Sequence, residues 1–258
     1  MNSRTAASQF YTGLVADLYE PLLAAPARAD DYVPFLERSG PPALELACGS
    51  GLPLVDLVER GFDVDGLDAS EEMLERCRAR AAARGVPVAL HRAEMQSFSL
   101  PRRYRSIFLA GASFTLLTTD EDAARALACI HEHLLPGGSV LIPLEREDPE
   151  AARRDVSRHR EVTTATGERL RVGAIGLDVS ADGRTLHRRL RYERTSTGGV
   201  PEIVERTWSR RSWSQEQFRA LLDGAAFGTV AFVAPGGGRA EPDARVFVAL
   251  ARRDPSGA

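Results

Sequence analysis

The chain has 258 residues, enough for one large domain or a domain with a sizeable insertion. It is 43% hydrophobic and 27% charged, a globular balance, and a net charge of -3 without a basic block argues against a nucleic-acid surface. Every basic residue is arginine, which excludes a Schiff-base lysine and a phosphate loop ending in Gly-Lys-Ser/Thr.

In chain order, residues near 5–39 read as two short helices, "AASQFYTGLVADLYEPLLAA" and "RADDYVPFLERSG". "ALELA" (43–47) reads as a strand, and Leu54, Leu57 and Val58 then share one helix face. "DVDGLD" (63–68) is a second strand. Ser70 caps the next helix, with Glu71 and Glu72 at its positive end and Met73, Leu74, Cys77 and Ala81 as its apolar stripe. "VPVALHR" (86–92) and "RSIFLAG" (105–111) are the third and fourth strands. "DEDAARALACIHEHLL" (120–135) is a helix stopped by Pro-Gly-Gly, and "SVLIPLE" (139–145) is the fifth strand. Strands alternating with helices imply a parallel sheet covered on both faces.

From about 161 to 211 the pattern changes to strands joined by Gly-bearing turns, an antiparallel insertion. "SQEQFRALLDGAAF" is a helix capped by Ser214. "GTVAFVAP" and "ARVFVALARR" close the domain as a strand pair, and "DPSGA" is a loose tail. The expected fold class is α/β: a Rossmann-like, seven-stranded, mostly parallel sheet with helices on both faces, an N-terminal helical cap and an antiparallel β insertion. The expected division is a cap over 1–40 and a ligand-binding domain over 41–258, carrying the insertion at about 161–211. No apolar run approaches the ~20 residues of a membrane span, and "MNSRTAASQF" lacks a signal pattern, so the expected compartment is the cytoplasm with no membrane partner. Cys48, Cys77 and Cys129 form no CxxC pair, so neither a disulfide frame nor a metal site is expected.

The stretch from Ala43 to Ser70 joins a strand, a glycine loop, a helix and a second strand ending in an acid. Such a loop lets backbone approach a ligand closely, and an acid at the end of the next strand accepts from both ribose hydroxyls. Gly49, Gly51 and Asp68 fit those roles. A dinucleotide loop wants a small residue where Leu54 stands, and Glu45 just before the loop repels an anionic cofactor end.

"LELACGSG" resembles the first motif of the class I S-adenosylmethionine-dependent methyltransferases, [DE]-x-[GA]-x-G-x-G. "DVDGLDASEEML", "AEMQSFSL", the segment from Leu109 to "PGGSVLI", and "WSQEQFRALLDGAAF" are similar to that family's following segments, in the same order. The resemblance implies S-adenosyl-L-methionine as cofactor. It implies Glu45 behind the methionine end, the backbone at Ala47, Gly49 and Gly51 along it, and the Ala110 carbonyl on its ammonium. Asp68 would hold the ribose, beside Ala69; Met73 and Met95 would sandwich the adenine, and Glu94 accept from its amino group. Ala47 stands for the commoner glycine, Glu94 for the commoner Asp, and Leu52 for a polar residue in many relatives.

Methyl transfer needs an in-line nucleophile and gains mostly from positioning, and a base is optional for an amine or acidic phenol. The N-terminal Tyr11 and Tyr19 are candidates to close the site, Tyr19 on cofactor or chemistry and Tyr11 on substrate; the plainer reading of both is packing. Ser113, Phe114 and Trp208 are candidate substrate contacts, although tryptophans such as Trp208 and Trp213 serve more often as core. The arginines from Arg184 to Arg211 read first as the solvated face of a sheet. His187 is a candidate base if the insertion roofs the pocket; His131 reads as packed and His133 as surface. A small-molecule methyltransferase acting on N or O in specialised metabolism is the reading, with a homodimer through the insertion as a further expectation. Three alternatives stay open: a non-methylating use of the same cofactor releasing methylthioadenosine, a nicotinamide-dependent oxidoreductase, and a non-catalytic interaction protein.

Overall fold

A computed structural model describes residues 7–22, 27–156 and 158–255. The first residues of the first expected helix, the end of that stretch, and most of the expected tail lie outside them.

One sheet has seven strands in the order β10-β11-β5-β4-β1-β2-β3. Its parallel part is β1 (Ala43–Leu46), β2 (Val64–Asp68), β3 (Leu90–Arg92), β4 (Tyr104–Leu109) and β5 (Leu134–Glu145). β10 (Phe227–Val233) and β11 (Val246–Arg253) close it antiparallel to β5. All four residues of β1 are buried, as a strand covered on both faces requires. The strand order reverses between β1 and β4, and a ligand crevice in such sheets opens beyond the carboxyl ends at that point.

The helices follow their sequence signals. Ser70 accepts the Met73 N–H at the start of α5 (Glu71–Ala83), whose buried residues are Met73, Leu74, Cys77 and Ala81. Thr119 caps α6 (Asp120–His133), and Ser214 with Gln217 forms a reciprocal cap on α8 (Gln215–Gly224). α3 (Val33–Ser39) and α4 (Leu54–Glu59) complete the lower core. α7 (Pro149–Arg154) was not expected, although Asp148 followed by Pro149 is a helix-start pattern.

Four expectations need correction. The Pro-Gly-Gly after α6 is not a stop between helix and strand. The helix ends at His133, β5 begins at Leu134, and Pro136, Gly137 and Gly138 bulge out between the Tyr104–Leu134 and Ser106–Ser139 pairs. The third strand spans Leu90–Arg92 rather than beginning at Val86, because it is a sheet edge and Pro87 has no N–H to donate. His133 is not on the surface: it is 2% exposed, accepting the Leu100 N–H on Nε2 at 2.8 Å and donating from Nδ1 to the Cys129 carbonyl at 2.7 Å. His131, read as packed, is half-exposed and meets Phe227 edge-on.

The insertion is a four-stranded antiparallel sheet of β6 (His159–Thr163), β7 (Arg169–Val179), β8 (Thr185–Thr195) and β9 (Glu202–Arg211). Leu170, Val172, Leu190, Tyr192, Val204 and Trp208 on its inner face pack against Phe10 of α1 (Ala7–Phe10) and Leu14, Val15, Leu18 and Leu22 of α2 (Leu14–Leu22). Burying such side chains contributes about 1.5–3 kcal/mol each. Ion pairs join the three layers. Asp17 of α2 pairs with Arg76 of α5 and with Arg194 of β8 at 2.9 Å, and Glu20 pairs with Arg80 of α5 at 2.6 Å. At the base of the inserted sheet, Arg210 donates to Thr115, Glu147 and Glu145, each at 2.9 Å, and Arg188 also pairs with Glu147. Burial would raise the Asp120 carboxyl, but Arg211, Arg184 and the Trp213 indole override it and hold it well below the usual carboxylate range.

Candidate functional site

A cavity of about 420 Å³ opens at the switch point, between the carboxyl ends of β1, β2 and β4 below and the N-terminal helices and β9 above. It lies within the usual range of small-molecule sites, roughly 300–1,000 Å³.

The floor is built by the β1–α4 loop. Ala47 and Gly49 both line the cavity, with φ of +55° and +54°. Gly49 donates its N–H to Asp68 Oδ2 at 2.9 Å, and Ser70 donates its N–H to Asp68 Oδ1 at 2.8 Å. Burial raises the Asp68 carboxyl, the Ser70, Gly49 and Ala69 amides oppose that, and Glu94 adds to the rise. Asp68, Ala69 and Met73 form one side of the cavity, and Glu94 and Met95 another. A methyl group on Gly49 would meet the Met73 Cε methyl at 3.4 Å, so a side chain at 49 would fill the space between loop and Met73.

Glu45 is fully buried behind this loop, and neither carboxylate oxygen has a hydrogen-bond partner among the described residues. Burial pushes its carboxyl well up, with Cys77 and Asp68 adding to the rise. An unpartnered buried carboxylate is costly and calls for a donor or a cation. It fits the ammonium end of a cofactor whose ribose would sit on Asp68. The donor set therefore suits the group that the sequence pattern implies.

The roof comes from the cap and the insertion. Phe10, Tyr11 and Tyr19 line the cavity, with Tyr11 and Tyr19 edge-to-face at 5.3 Å. Ser70 serves twice here, capping α5 and donating its hydroxyl to the Tyr11 carbonyl at 2.8 Å. Gly13 adds a clasp, its N–H to Glu72 Oε2 at 2.6 Å. Burial pushes the Tyr11 hydroxyl far above its ordinary value; burial also raises Tyr19, and Asp68, Glu20 and Glu45 add to it. Trp208 lines the opposite wall, and the Arg210 guanidinium lies 5.1 Å from its ring centre.

Of the expected site residues, Tyr11, Tyr19, Ala47, Gly49, Asp68, Ala69, Met73, Glu94, Met95, Ser113 and Trp208 come together around this cavity. Glu45 stands behind its floor. Gly51 is not among the lining residues; a methyl group there would sit 2.7 Å from Cys77 Sγ and 2.9 Å from Val55 Cγ2, so this glycine lets the loop pack closely on α4 and α5. Ala110 packs against the lower core rather than on the wall. Phe114 is fully buried, edge-on to Trp213 at 5.7 Å and Phe218 at 5.3 Å, so it is core and not a substrate contact. Trp213 is core as well, its indole donating to Asp120 at 2.9 Å. His187 is off the wall, with Nδ1 2.7 Å from the Ser209 hydroxyl.

Phe10, Gln96, Thr118, Thr119, Asp122, Thr207 and Ser209 also line the cavity and were not expected there. The Thr118-Thr119 pair directly before an acidic helix start was the available signal for that corner. Asp122 is engaged already, accepting from the Thr119 hydroxyl at 2.9 Å and pairing with Arg125. Among the described residues, no group of three or more His, Cys, Asp or Glu is placed to hold a metal, and no helix is long and apolar enough to cross a membrane.

Residues 43–138 match the family described as "Methyltransferase domain". The chain is 34% identical over 120 residues to a dTDP-3-amino-3,4,6-trideoxy-alpha-D-glucopyranose N,N-dimethyltransferase of Streptomyces venezuelae, covering 45% of this chain and 48% of that one. It is 31% identical over 150 residues to a dTDP-3-amino-3,6-dideoxy-alpha-D-glucopyranose N,N-dimethyltransferase of Streptomyces fradiae, covering 55% and 57%. The chain thus spans about half the length of the curated relatives it matches. In fold it is similar to the crystal structure of an S-adenosylmethionine-dependent methyltransferase from Clostridium acetobutylicum, with a TM-score of 0.74, 14% identity, and 93% and 97% of the two chains covered.

Proposed function

We propose that this chain, whose residues 43–138 match a methyltransferase domain, is a class I S-adenosylmethionine-dependent enzyme that methylates an amino nitrogen of a small molecule in natural-product assembly. One observation carries the choice of nitrogen. The cavity joins a cofactor cradle to an aromatic roof, and no His, Lys or Arg is among its lining residues. An alcohol needs a base to become a nucleophile, whereas a neutral amine already has its lone pair. Tyr11, with its hydroxyl pushed far up by burial, keeps its proton at neutral pH, and Asp122 is tied to Thr119 and Arg125.

When bound, S-adenosylmethionine supplies an electrophilic methyl group on sulfonium. Asp68 accepts from the ribose hydroxyls while its oxygens keep the Gly49 and Ser70 amides in place. Glu45 would act on the ammonium from behind the loop, Glu94 would accept from the adenine amino group, and Met73 and Met95 would flank the ring. Tyr11, Tyr19 and Trp208 close the cavity and exclude water; an aromatic face toward a cation contributes ~0.5–2 kcal/mol. Ser113 and Trp208 contact the acceptor. Cys48, Cys77 and Cys129 are free thiols, which fits a reducing compartment, and the cytoplasm is the one proposed. Self-association through the outer face of the inserted sheet, where Ile175 and Ile203 are exposed, belongs to the same reading and is tested by light scattering.

The test is an incubation of the full chain with S-adenosylmethionine and a panel of amines, phenols and alcohols, headed by amino sugars because two relatives are named for them. S-adenosylhomocysteine formed with an amine, and not with an alcohol, is expected. Turnover of phenols alone would move the acceptor atom to oxygen. Methylthioadenosine as the product would replace methyl transfer with displacement.

A further inference from the structure

The inner face of the inserted sheet carries several arginines, and nearly all have an evident partner. Arg160 donates to the Leu22 carbonyl at 2.6 Å, Arg194 pairs with Asp17 and Glu202, Arg188 with Glu147, and Arg210 with Glu145 and Glu147. Arg206 is different. It sits on β9 opposite Leu190, two residues before Trp208 and so on the same face, about 6–7 Å along the strand from a residue of the cavity wall. It is half-buried, and its one hydrogen bond goes to the neighbouring Glu205 carbonyl at 3.2 Å. Among the described residues no carboxylate pairs with it.

Arg206 is not itself on the cavity wall, but the next three residues of its strand, Thr207, Trp208 and Ser209, all are. Tyr192 on the adjacent strand feels its charge, and Tyr192 packs edge-on to Phe10, which lines the cavity. A half-buried, unpaired guanidinium fork matches an oxyanion, either a phosphate or a carboxylate, better than any neutral group. The cavity itself offers no cation for such a group.

We infer that Arg206 is a specificity-determining residue that holds an oxyanion of the acceptor at the lip while its amine enters the cavity. The acceptor is then a bifunctional molecule, an amine carrying a phosphate or a carboxylate. This inference rests on the methyl-transfer reading.

The experiment is calorimetry on the full chain saturated with S-adenosylhomocysteine, titrated separately with inorganic pyrophosphate and with malonate. Arg206→Met keeps an apolar stem at the position opposite Leu190, and Arg206→Lys keeps the charge. The expected result is binding of one of the two anions, weakened at least about tenfold in Arg206→Met and partly restored in Arg206→Lys. S-adenosylhomocysteine affinity stays the same in all three proteins. Binding of pyrophosphate alone identifies a phosphate acceptor, and binding of malonate alone a carboxylate. Binding of neither anion, or equal binding by Arg206→Met, overturns the inference and leaves the methyltransferase reading intact. Failure of the unaltered chain to bind S-adenosylhomocysteine overturns both.

Discussion

Asp68 and Gly49, nineteen positions apart, are joined by a 2.9 Å hydrogen bond that fixes the glycine loop to the end of the second strand. The same carboxylate takes the Ser70 amide at 2.8 Å, so one side chain sets both the loop and the start of α5. Replacing Asp68 with Ala leaves two amide donors without their acceptor. We expect affinity for S-adenosylhomocysteine to fall by about 10–100-fold, as the loss of charge-assisted hydrogen bonds implies, and stability to fall by about 1–3 kcal/mol. Calorimetry and urea unfolding of the same preparations check both; full affinity in the variant would remove Asp68 from the site.

Ala47 holds a φ of +55°, a region costing a non-glycine residue roughly 1–2 kcal/mol. Glycine at 47 removes that cost but gains disorder when unfolded, an opposing effect of about 0.4–1 kcal/mol. The expected outcome for Ala47→Gly is a protein as stable as the original or up to about 1 kcal/mol more stable, with cofactor affinity unchanged. A clear loss of stability in chemical unfolding would show that the methyl group packs usefully.

His133 is held neutral: Nε2 accepts and Nδ1 donates, and burial lowers its pKa below the ordinary value. The unfolded chain binds a proton at this residue as pH falls through about 6.5, and the folded chain resists it. Stability is therefore lost as pH drops from about 7 toward the depressed folded value, and regained on raising pH. His133→Ala should flatten that slope and cost about 1–3 kcal/mol, because the Leu100 amide loses its acceptor. Unfolding curves between pH 5 and pH 7.5 measure both effects.

Phe114 and Trp208 should separate core from site. Phe114→Leu loses packing against Trp213 and Phe218, about 1 kcal/mol, without changing the acceptor KM. Trp208→Ala should raise the acceptor KM severalfold and leave S-adenosylhomocysteine binding unchanged. Steady-state kinetics with the best amine of the panel is the measurement, and a KM shift in Phe114→Leu would return that residue to the site.

Much of the floor was legible because local rules govern it. The Ser70 cap, the stripe Met73-Leu74-Cys77-Ala81 and the acid at Asp68 all follow from positions within a few residues of one another. Gly51 and Phe114 are off the cavity wall although Gly49 and Ser113 close by in sequence are on it, and only packing decides which way a side chain at each position faces. Cys77 and Val55 claim one, and Trp213 and Phe218 the other. The far wall was less legible still. Thr207 and Ser209 share the cavity wall with Thr118 and Asp122, some 90 residues away in the chain, and no periodicity encodes where an inserted sheet docks. His133 has a surface-like polar identity, and its burial follows from the Leu100 amide needing an acceptor.

Asp17 touches α5 through Arg76 and the inserted sheet through Arg194, while its own helix fills the seam between them. The roof is therefore not a module with a clean seam. A chimera that exchanges only residues 159–211 for the insertion of a relative would strand Leu14, Leu18 and Leu22 against a foreign surface and leave Asp17 facing the wrong partner. Exchanging the roof between chains of this fold has to move two distant stretches together, residues 7–22 and the insertion.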